Sequence, residues 1–278
     1  MFSRNIIAFM FASSIASLGI AQDQLVYPLD VAVGPEDSIY IADRKLPGIW
    51  KVVDGKLEIF FKGSKTFRTP LNAIRCVVVD DDGTVYAGDS ATREVYSFSE
   101  DRKPLPLTQG HIGIAADLLI DGDHLIVSDL ETQRIWTFPK TGGKPEEVAV
   151  IAAVRGLAKN ESGELICVTT LQDPVRKISQ QGEIEKLITG RPFQMTHHCV
   201  IAGENIYIAD NYANTIWKAE LSPGAKPEAY VSGAPMQKPV GLCRYKEGFL
   251  VADPHARQIF VIDKEGKVSP LLSQTGSN

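Results

Sequence analysis

The feature of this sequence that most constrains the fold is a repeat of about 40 residues. An apolar run that ends in a polar residue recurs along the chain, and a polar loop and a further apolar run follow it each time. The end positions are Asp43, Asp89, Asp129, Thr169, Asp210 and Asp253. Successive end positions lie 40 to 46 residues apart. A period of this length is typical of solenoids, propellers and related arrays.

Each repeat contains four short apolar runs separated by turn residues. Segments such as VDDDGTVY and NESGELI carry the Gly, Asp and Asn residues that form tight hairpin turns. Helical periodicity is not found beyond the N-terminal segment. Six such repeats predict an all-β protein over residues 22–278: a six-bladed β-propeller of four-stranded antiparallel blades, with each blade built from consecutive strands.

The third run of each repeat has a large side chain at its second position. These positions are Trp50, Tyr96, Trp136, Arg176, Trp217 and Phe260. Because a single four-stranded sheet cannot bury both of its faces, we expect the aromatic residues in this set to fill the gaps between neighbouring blades.

Three segments resemble the NHL repeat: VAVGPEDSIYIADRKLPGIWKV, VVVDDDGTVYAGDSATREVYSF and VIAGENIYIADNYANTIWKA. The whole set of six units resembles the wider group of TolB-like six-bladed propellers, which includes NHL domains and the gluconolactonase and senescence-marker-like lactonases. The resemblance covers essentially all of residues 22–278 and implies the propeller fold. It does not select a function, because such propellers include both enzymes and binding modules.

The N-terminal segment has the pattern of a secretory signal peptide over residues 1–21. One positive charge at Arg4 precedes an uncharged apolar run, and Ala21 fits the small residue before a cleavage site. The apolar run is shorter than the roughly 20 residues of a membrane-spanning helix. We therefore expect an exported protein, periplasmic or secreted, that is monomeric and has no membrane span after cleavage.

Charge and cysteine content narrow the function classes further. The net charge is −5 and basic residues are not clustered, which excludes non-specific nucleic-acid binding. The four cysteines are Cys76, Cys167, Cys199 and Cys243, and each lies in or beside an apolar run without metal-ligand spacing. We interpret them as small buried apolar residues; a disulfide between two of them is the alternative in an oxidising compartment.

The recurring aspartates are interpreted as structural. An Asp at a strand end can accept backbone N–H groups and shape the following turn, and the same position recurs in five of the six repeats. A single functional site needs residues that break the repeat, so the positions that differ between blades are the informative ones.

One pair of residues per blade differs in this way, at the start of the first strand, which lines the channel in propellers. The pairs are Leu29-Asp30, Arg75-Cys76, Ala116-Asp117, Arg155-Gly156, His197-His198 and Val240-Gly241. The second members of the odd blades are two carboxylates and an imidazole, whereas those of the even blades are small. We therefore expect Asp30, Asp117 and His198 to converge on the channel axis.

Three interpretations of this ring remain open. Arg75 and Arg155 can pair with Asp30 and Asp117 as a neutral plug, since buried charges must be paired or hydrated. The two arginines can instead hold an anion such as a substrate carboxylate. The third interpretation is a Ca²⁺, Mg²⁺ or Zn²⁺ site at the carboxylates and His198. His197 is not expected to share that ion, because consecutive strand residues point to opposite sides.

The resemblance to the lactonases implies a divalent cation held by a Glu, an Asn and an Asp. Asp210 matches the Asp by position, and Asp30 stands nearest to the Glu. The Asn is missing, because the matching positions read Arg155-Gly156-Leu157 and Val240-Gly241-Leu242.

Because the Asn of the lactonase pattern is missing, two functions remain open. The first is a binding module that takes a protein, small molecule or glycan at one channel mouth. The alternative is a lactonase-like hydrolase with Asp30, Asp117, His198 and Asp210 around a cation that polarises a carbonyl and activates water. The sequence assigns no catalytic residue.

Overall fold

Residues 24–272, which a computed structural model describes, form 24 strands in six four-stranded sheets. Blade 1 contains β1 (Pro28–Val33), β2 (Ile39–Asp43), β3 (Gly48–Val53) and β4 (Lys56–Lys62), and blade 2 contains β5 (Ile74–Val79), β6 (Val85–Asp89), β7 (Glu94–Phe98) and β8 (Pro104–Pro106). Blade 3 contains β9 (Ala115–Asp121), β10 (His124–Asp129), β11 (Arg134–Pro139) and β12 (Glu146–Val150), and blade 4 contains β13 (Val154–Lys159), β14 (Leu165–Thr169), β15 (Val175–Ile178) and β16 (Ile184–Ile188). Blade 5 contains β17 (Thr196–Ala202), β18 (Asn205–Asp210), β19 (Thr215–Glu220) and β20 (Glu228–Ser232), and blade 6 contains β21 (Gly241–Tyr245), β22 (Gly248–Asp253), β23 (Gln258–Ile262) and β24 (Val268–Pro270).

Every blade is built from four consecutive strands, and neighbouring strands within it are antiparallel. This confirms the predicted six-bladed propeller, including the prediction that each blade uses its own strands in chain order. Within the described residues the only helical element is a 3₁₀ turn at Pro35–Asp37. No helix in that part of the chain is long and apolar enough to cross a membrane. The predicted signal peptide, residues 1–21, lies outside the described residues and stays a prediction.

Six apolar clusters, one in each gap between neighbouring blades, form the core. The gap between blades 1 and 2, for example, is filled by Ala42 and Ile49 from one side and by Ile74 and Phe98 from the other. The large third-strand residues take part as predicted: Tyr96 belongs to that cluster, and Trp50 belongs to the cluster between blades 6 and 1. The blades therefore cohere mainly by burying their faces against one another.

The recurring aspartates are structural, as predicted. Asp129 accepts hydrogen bonds from the backbone N–H groups of Gly113 and Ile114 (2.9 Å each), Glu131 (3.0 Å) and Thr132 (3.3 Å) and from the Thr132 hydroxyl (2.7 Å). Each such carboxylate joins the loop that enters its blade to the loop between the second and third strands. The same arrangement occurs at Asp43, Asp89, Asp210 and Asp253.

Blade 4 departs from this arrangement at two linked positions. In blades 1 and 5 the third-strand Trp donates its indole N–H to the repeated Asp, at 3.3 Å in each case. Blade 4 has Thr169 and Arg176 at these two positions. Asp173, in the loop after β14, accepts the N–H of Gly190, which follows β16, at 2.9 Å, and its carbonyl accepts the Arg176 Nε–H at 3.2 Å.

All four cysteines are free, so the disulfide alternative is not supported within residues 24–272. Cys76, Cys167 and Cys199 are buried and Cys243 is partly buried, in agreement with their interpretation as apolar packing residues.

Replacing Asp129 with Ala should destabilise the protein strongly. The change leaves four backbone N–H groups and one hydroxyl without their acceptor, and bonds to a charged acceptor contribute about 1.5–3 kcal/mol each when taken singly. We expect the free energy of unfolding, measured by urea denaturation, to fall by about 3 kcal/mol, at the upper end of single-residue effects. Asp123→Ala, at an exposed turn position in the same blade, is the control and should change it little. Equal effects of the two substitutions would contradict the structural role.

Candidate functional site

The predicted ring residues line the channel in two layers. The pairing of the first strand with the second shifts register at the ring pair in blades 1 to 5, which marks a β-bulge. A bulge re-aims the side chains beside it, and in blades 1, 3 and 5 both members of the pair contact channel cavities. The first members line a cavity of about 40 Å³ at one side. The second members of the odd blades help to line a wider cavity of about 330 Å³ at the other.

The inner layer consists of Asp30, Asp117 and His198, which we call the acidic layer. All three are buried, with exposures of 3%, 5% and 6%. His198 Nδ1 lies 3.3 Å from Asp30 Oδ1 and 3.7 Å from Asp117 Oδ1. The structure therefore brings together three of the four predicted metal ligands, with one ligand atom from each lying within 4.8 Å of the others.

The carboxylates of the acidic layer also join neighbouring blades. Asp30 accepts the N–H of Val31 at 2.8 Å and that of Val77, in blade 2, at 2.9 Å. Asp117 likewise accepts the N–H groups of Leu118 and Leu157, the latter in blade 4, at 2.8 Å each. Each carboxylate oxygen thus already accepts one backbone hydrogen bond.

The small residues of the even blades are required by close approach at the alternate junctions. A Cβ on Gly156 would lie 2.6 Å from the His197 carbonyl oxygen, and one on Gly241 would lie 2.7 Å from the Asp30 Cα. Cys76 packs against blade 3, with its Sγ 3.8 Å from the Ala115 carbonyl oxygen. The odd and even alternation seen in the sequence therefore reflects two kinds of junction between inner strands.

Burial and mutual charge shift the pKa values in the acidic layer. Burial raises the pKa of Asp30 to about 7; Asp117 raises it too, whereas His198 and two backbone N–H groups lower it. Burial also raises the pKa of Asp117. Burial lowers the pKa of His198, but the charges of Asp117 and Asp30 outweigh that effect and leave it above its ordinary value. The layer consequently holds a proton near neutral pH.

The outer layer contains Arg75, Arg155 and His197, and we call it, with its 40 Å³ cavity, the arginine mouth. The Nε atoms of both arginines are buried and have no hydrogen-bond partner. None of the ion pairs found in residues 24–272 includes either arginine. Burial lowers the pKa of Arg75, and the charges of Arg44 and Arg155 lower it further. Burial lowers the pKa of Arg155 as well.

His197 is held neutral beside these arginines. Burial lowers its pKa to about 3, and the charges of Arg155, His198 and Arg75 act in the same direction. Its Nδ1 lies 3.5 Å from Arg155 Nη1. His197 and His198 thus belong to different layers, as the strand geometry predicts.

The rim of the arginine mouth carries residues that the sequence analysis did not single out. The phenol of Tyr212 is close enough to raise the pKa of Arg155, against the larger effect of burial. Its side chain is 59% exposed, and the Lys238 ammonium lies over its ring, 4.6 Å from the centroid. An aromatic residue in the polar loop, two positions after a repeated Asp, was the available signal in the sequence.

Two of the sequence-based interpretations need correction. Arg75 and Arg155 do not pair with Asp30 and Asp117, because the bulges separate the two layers and the carboxylates are bound by backbone N–H groups and His198. Asp210 does not join the acidic layer. Its carboxylate accepts N–H groups from Gln194, Met195 and Ala213 at 2.8–3.2 Å, which holds it in the loop framework.

The sequence matches no protein-family model, and it matches no curated protein sequence. Solved structures resemble it in fold. A gluconolactonase from Xanthomonas campestris superposes with a TM-score of 0.71 at 10% identity, covering 90% of this chain and 88% of that one. The nidogen/laminin complex gives 0.70 at 14% identity, covering 82% and 91%. Virginiamycin B lyase from Staphylococcus aureus gives 0.67 at 13% identity, covering 92% and 87%.

This chain is a six-bladed β-propeller. Its structural neighbours include the nidogen/laminin complex and gluconolactonases, which confirms the resemblance at the level of fold. At these identities the likeness shows the fold alone, and the neighbours differ in what they do.

His197→Gln should change how stability depends on pH. In the wild type the unfolded chain takes up a proton near pH 6.5 that folded His197 refuses until about pH 3, so His197 costs stability as the pH falls between these values. Asp30 acts oppositely: its folded pKa of about 7 exceeds the unfolded 3.8, so its contribution is lost as the pH rises through that window. The variant should therefore retain more stability than wild type between pH 6.5 and 4 in urea titrations. His255→Gln, at an exposed site, is the control; a variant curve parallel to wild type would contradict the assignment.

Arg155→Met should stabilise the protein in dilute buffer. The substitution removes a partly buried charge without a carboxylate partner and keeps most of the apolar stem, which favours the folded state by about 1 kcal/mol. We expect a higher Tm in a thermal melt. Arg176→Met is the matched control in the same blade; it should lower the Tm, because Arg176 donates to the Asp173 carbonyl. A lower Tm for Arg155→Met would show that Arg155 is paired in solution.

Proposed function

We propose that this protein is a binding module that takes an anionic ligand at the arginine mouth of its channel. The observation that carries the proposal is the pair of partly buried arginines, Arg75 and Arg155, whose Nε atoms are buried without a hydrogen-bond partner and which lack acidic partners in the described chain. Buried charges are normally paired. An anion that enters the mouth therefore supplies the negative charge that no side chain of the described residues brings to these guanidinium groups. Sites that cost stability in this way are typical of binding and catalytic positions.

The geometry of the channel supports a site at this side. The arginine mouth is bounded by residues of all six blades and ends at His198, which separates it from the wider cavity. Its donors, Arg75, Arg155 and His197, lie in three inner strands (β5, β13 and β17) rather than in loops, and preorganised donors bind with little ordering cost. The nidogen/laminin neighbour gives a precedent for a propeller of this shape in a complex with a partner.

A second candidate function is the divalent-cation-dependent hydrolase, favoured by the acidic layer and by the gluconolactonase neighbours. The residues fit such a centre poorly. Every carboxylate oxygen of Asp30 and Asp117 already accepts a backbone N–H, and His198 lies between the carboxylates. Asp210 is bound elsewhere, and the Asn of the lactonase pattern is missing. Asp30, Asp117 and His198 are better suited to joining blades.

The two functions predict opposite responses to anions and cations. At constant ionic strength, small monovalent anions should raise the Tm of the wild type saturably, because they bind the folded state. The double variant Arg75→Gln/Arg155→Gln should lose this response. Millimolar Ca²⁺, Mg²⁺ or Zn²⁺ should leave the Tm unchanged, and metal analysis of the purified protein should find less than one ion per chain.

Asp117→Asn provides the control for the cation arm. If a divalent cation raises the Tm of the wild type but not of Asp117→Asn, and the wild type hydrolyses a sugar lactone, the hydrolase is correct and the binding module is wrong. If neither anions nor cations change the Tm of the wild type, the channel is a closed structural plug and both functions fail.

A further inference from the structure

We propose that the ligand group bound in the arginine mouth is a carboxylate carried on a flat apolar body, with the body resting on Tyr212. This ligand class rests on the function proposed above and makes it specific. Four features of the mouth select it: the charge of the site, the shape of its donors, the size of the cavity and the chemistry of the rim.

The arginine mouth is cationic, and its charge selects the sign of the ligand. Arg75 and Arg155 line the cavity, and Arg44 is close enough to lower the pKa of Arg75. The carboxylates of the ring, Asp30 and Asp117, lie in the acidic layer and accept backbone N–H groups of neighbouring blades. A ligand that enters this mouth therefore needs negative charge to compensate the guanidinium groups.

The donors favour a planar anion. A guanidinium presents its N–H groups as a flat fork that matches the two oxygens of a carboxylate. Both arginines have an Nε–H without an acceptor. His197, neutral at physiological pH, adds a ring nitrogen 3.5 Å from Arg155 without adding charge.

Cavity size separates a carboxylate from larger oxyanions. The cavity has a volume of about 40 Å³. A single buried water needs roughly 10–15 Å³ on this measure, so the cavity holds about three atoms of that size. A carboxylate has three heavy atoms, whereas phosphate and sulfate have five. The body of the ligand must then lie outside, at the rim.

The rim provides a surface for that body. Tyr212 is 59% exposed, although large aromatic side chains are usually more buried, and its ring lies under the ammonium of Lys238, two residues before the cavity-lining Val240. Lys238 covers part of its ring and adds a further positive charge. An aromatic surface next to a cationic cavity fits a flat acid, which places its carboxylate inside and its ring against Tyr212.

The test compares anions of different shape at constant ionic strength and pH 7. The probes are acetate, benzoate, gluconate, N-acetylglycylglycine, chloride and phosphate, and the measurements are thermal shift and isothermal titration calorimetry. Benzoate should bind more tightly than acetate by about fivefold, and phosphate should not saturate. Arg75→Gln and Arg155→Gln should each weaken benzoate binding at least about tenfold, the loss of one charge-assisted hydrogen bond.

Variants at the rim distinguish the contribution of the ligand's apolar body to binding from that of its carboxylate. Tyr212→Ala should remove the advantage of benzoate and leave acetate binding unchanged. Arg191→Gln, an exposed arginine in the loop before β17 that does not line the cavity, is the matched control and should bind both acids as wild type does. As a direct readout, the Nε–H resonances of Arg75 and Arg155 should shift on addition of benzoate.

Each other outcome has a distinct meaning. If chloride or phosphate binds as well as benzoate and depends on the same arginines, the carboxylate class is wrong but the anion-binding function stands. If gluconate or the peptide acid binds more tightly than benzoate, the flat apolar body is wrong. If no anion binds and the Nε–H resonances do not move, the proposed function itself fails.

Discussion

The structure depends on how six inner strands meet around one axis. At the level of Asp30 and Asp117, a carboxylate from an odd blade reaches across and accepts an N–H of the next blade. At the alternate junctions Gly156 and Gly241 allow the backbones to touch. Carboxylate–backbone hydrogen bonds between blades and close contacts between backbones therefore occur at different junctions of the ring. The apolar clusters in the gaps then fix the distance between blades farther out.

This alternation decides where charge can accumulate. The carboxylates are used inside the acidic layer, where His198 and backbone N–H groups compensate them. The arginines, which hold the first position of the ring pairs in blades 2 and 4, have no share in that compensation. Two adjacent layers of opposite character result, with carboxylates from β1 and β9 in one and arginines from β5 and β13 in the other, and the proposed anion site lies in the arginine layer.

The sequence predicted the fold completely at the level of blades, because a period of 40 to 46 residues with four apolar runs admits few architectures. It also identified the ring pairs and the convergence of Asp30, Asp117 and His198. It failed for the partners of Arg75 and Arg155, since a β-bulge is not visible in a pattern of alternating residues. Asp210 was misassigned as a ligand because its position matches a family pattern, whereas its environment is that of the other repeated aspartates. Tyr212 was missed because a rim residue follows from loop geometry, which the repeat does not encode.

The bulges at the ring pairs have a consequence for how this propeller can vary. In blades 1, 3 and 5 they place a residue that lines the arginine mouth and a residue of the acidic layer at consecutive positions. Leu29, Ala116 and Val240 occupy the outer position in three blades and are apolar. Changing them alters the chemistry of the mouth without touching the bonds between blades. The apolar residues that line the mouth are therefore different from the residues that join the blades. Substitutions at the mouth can change its chemistry while the contacts between blades stay the same.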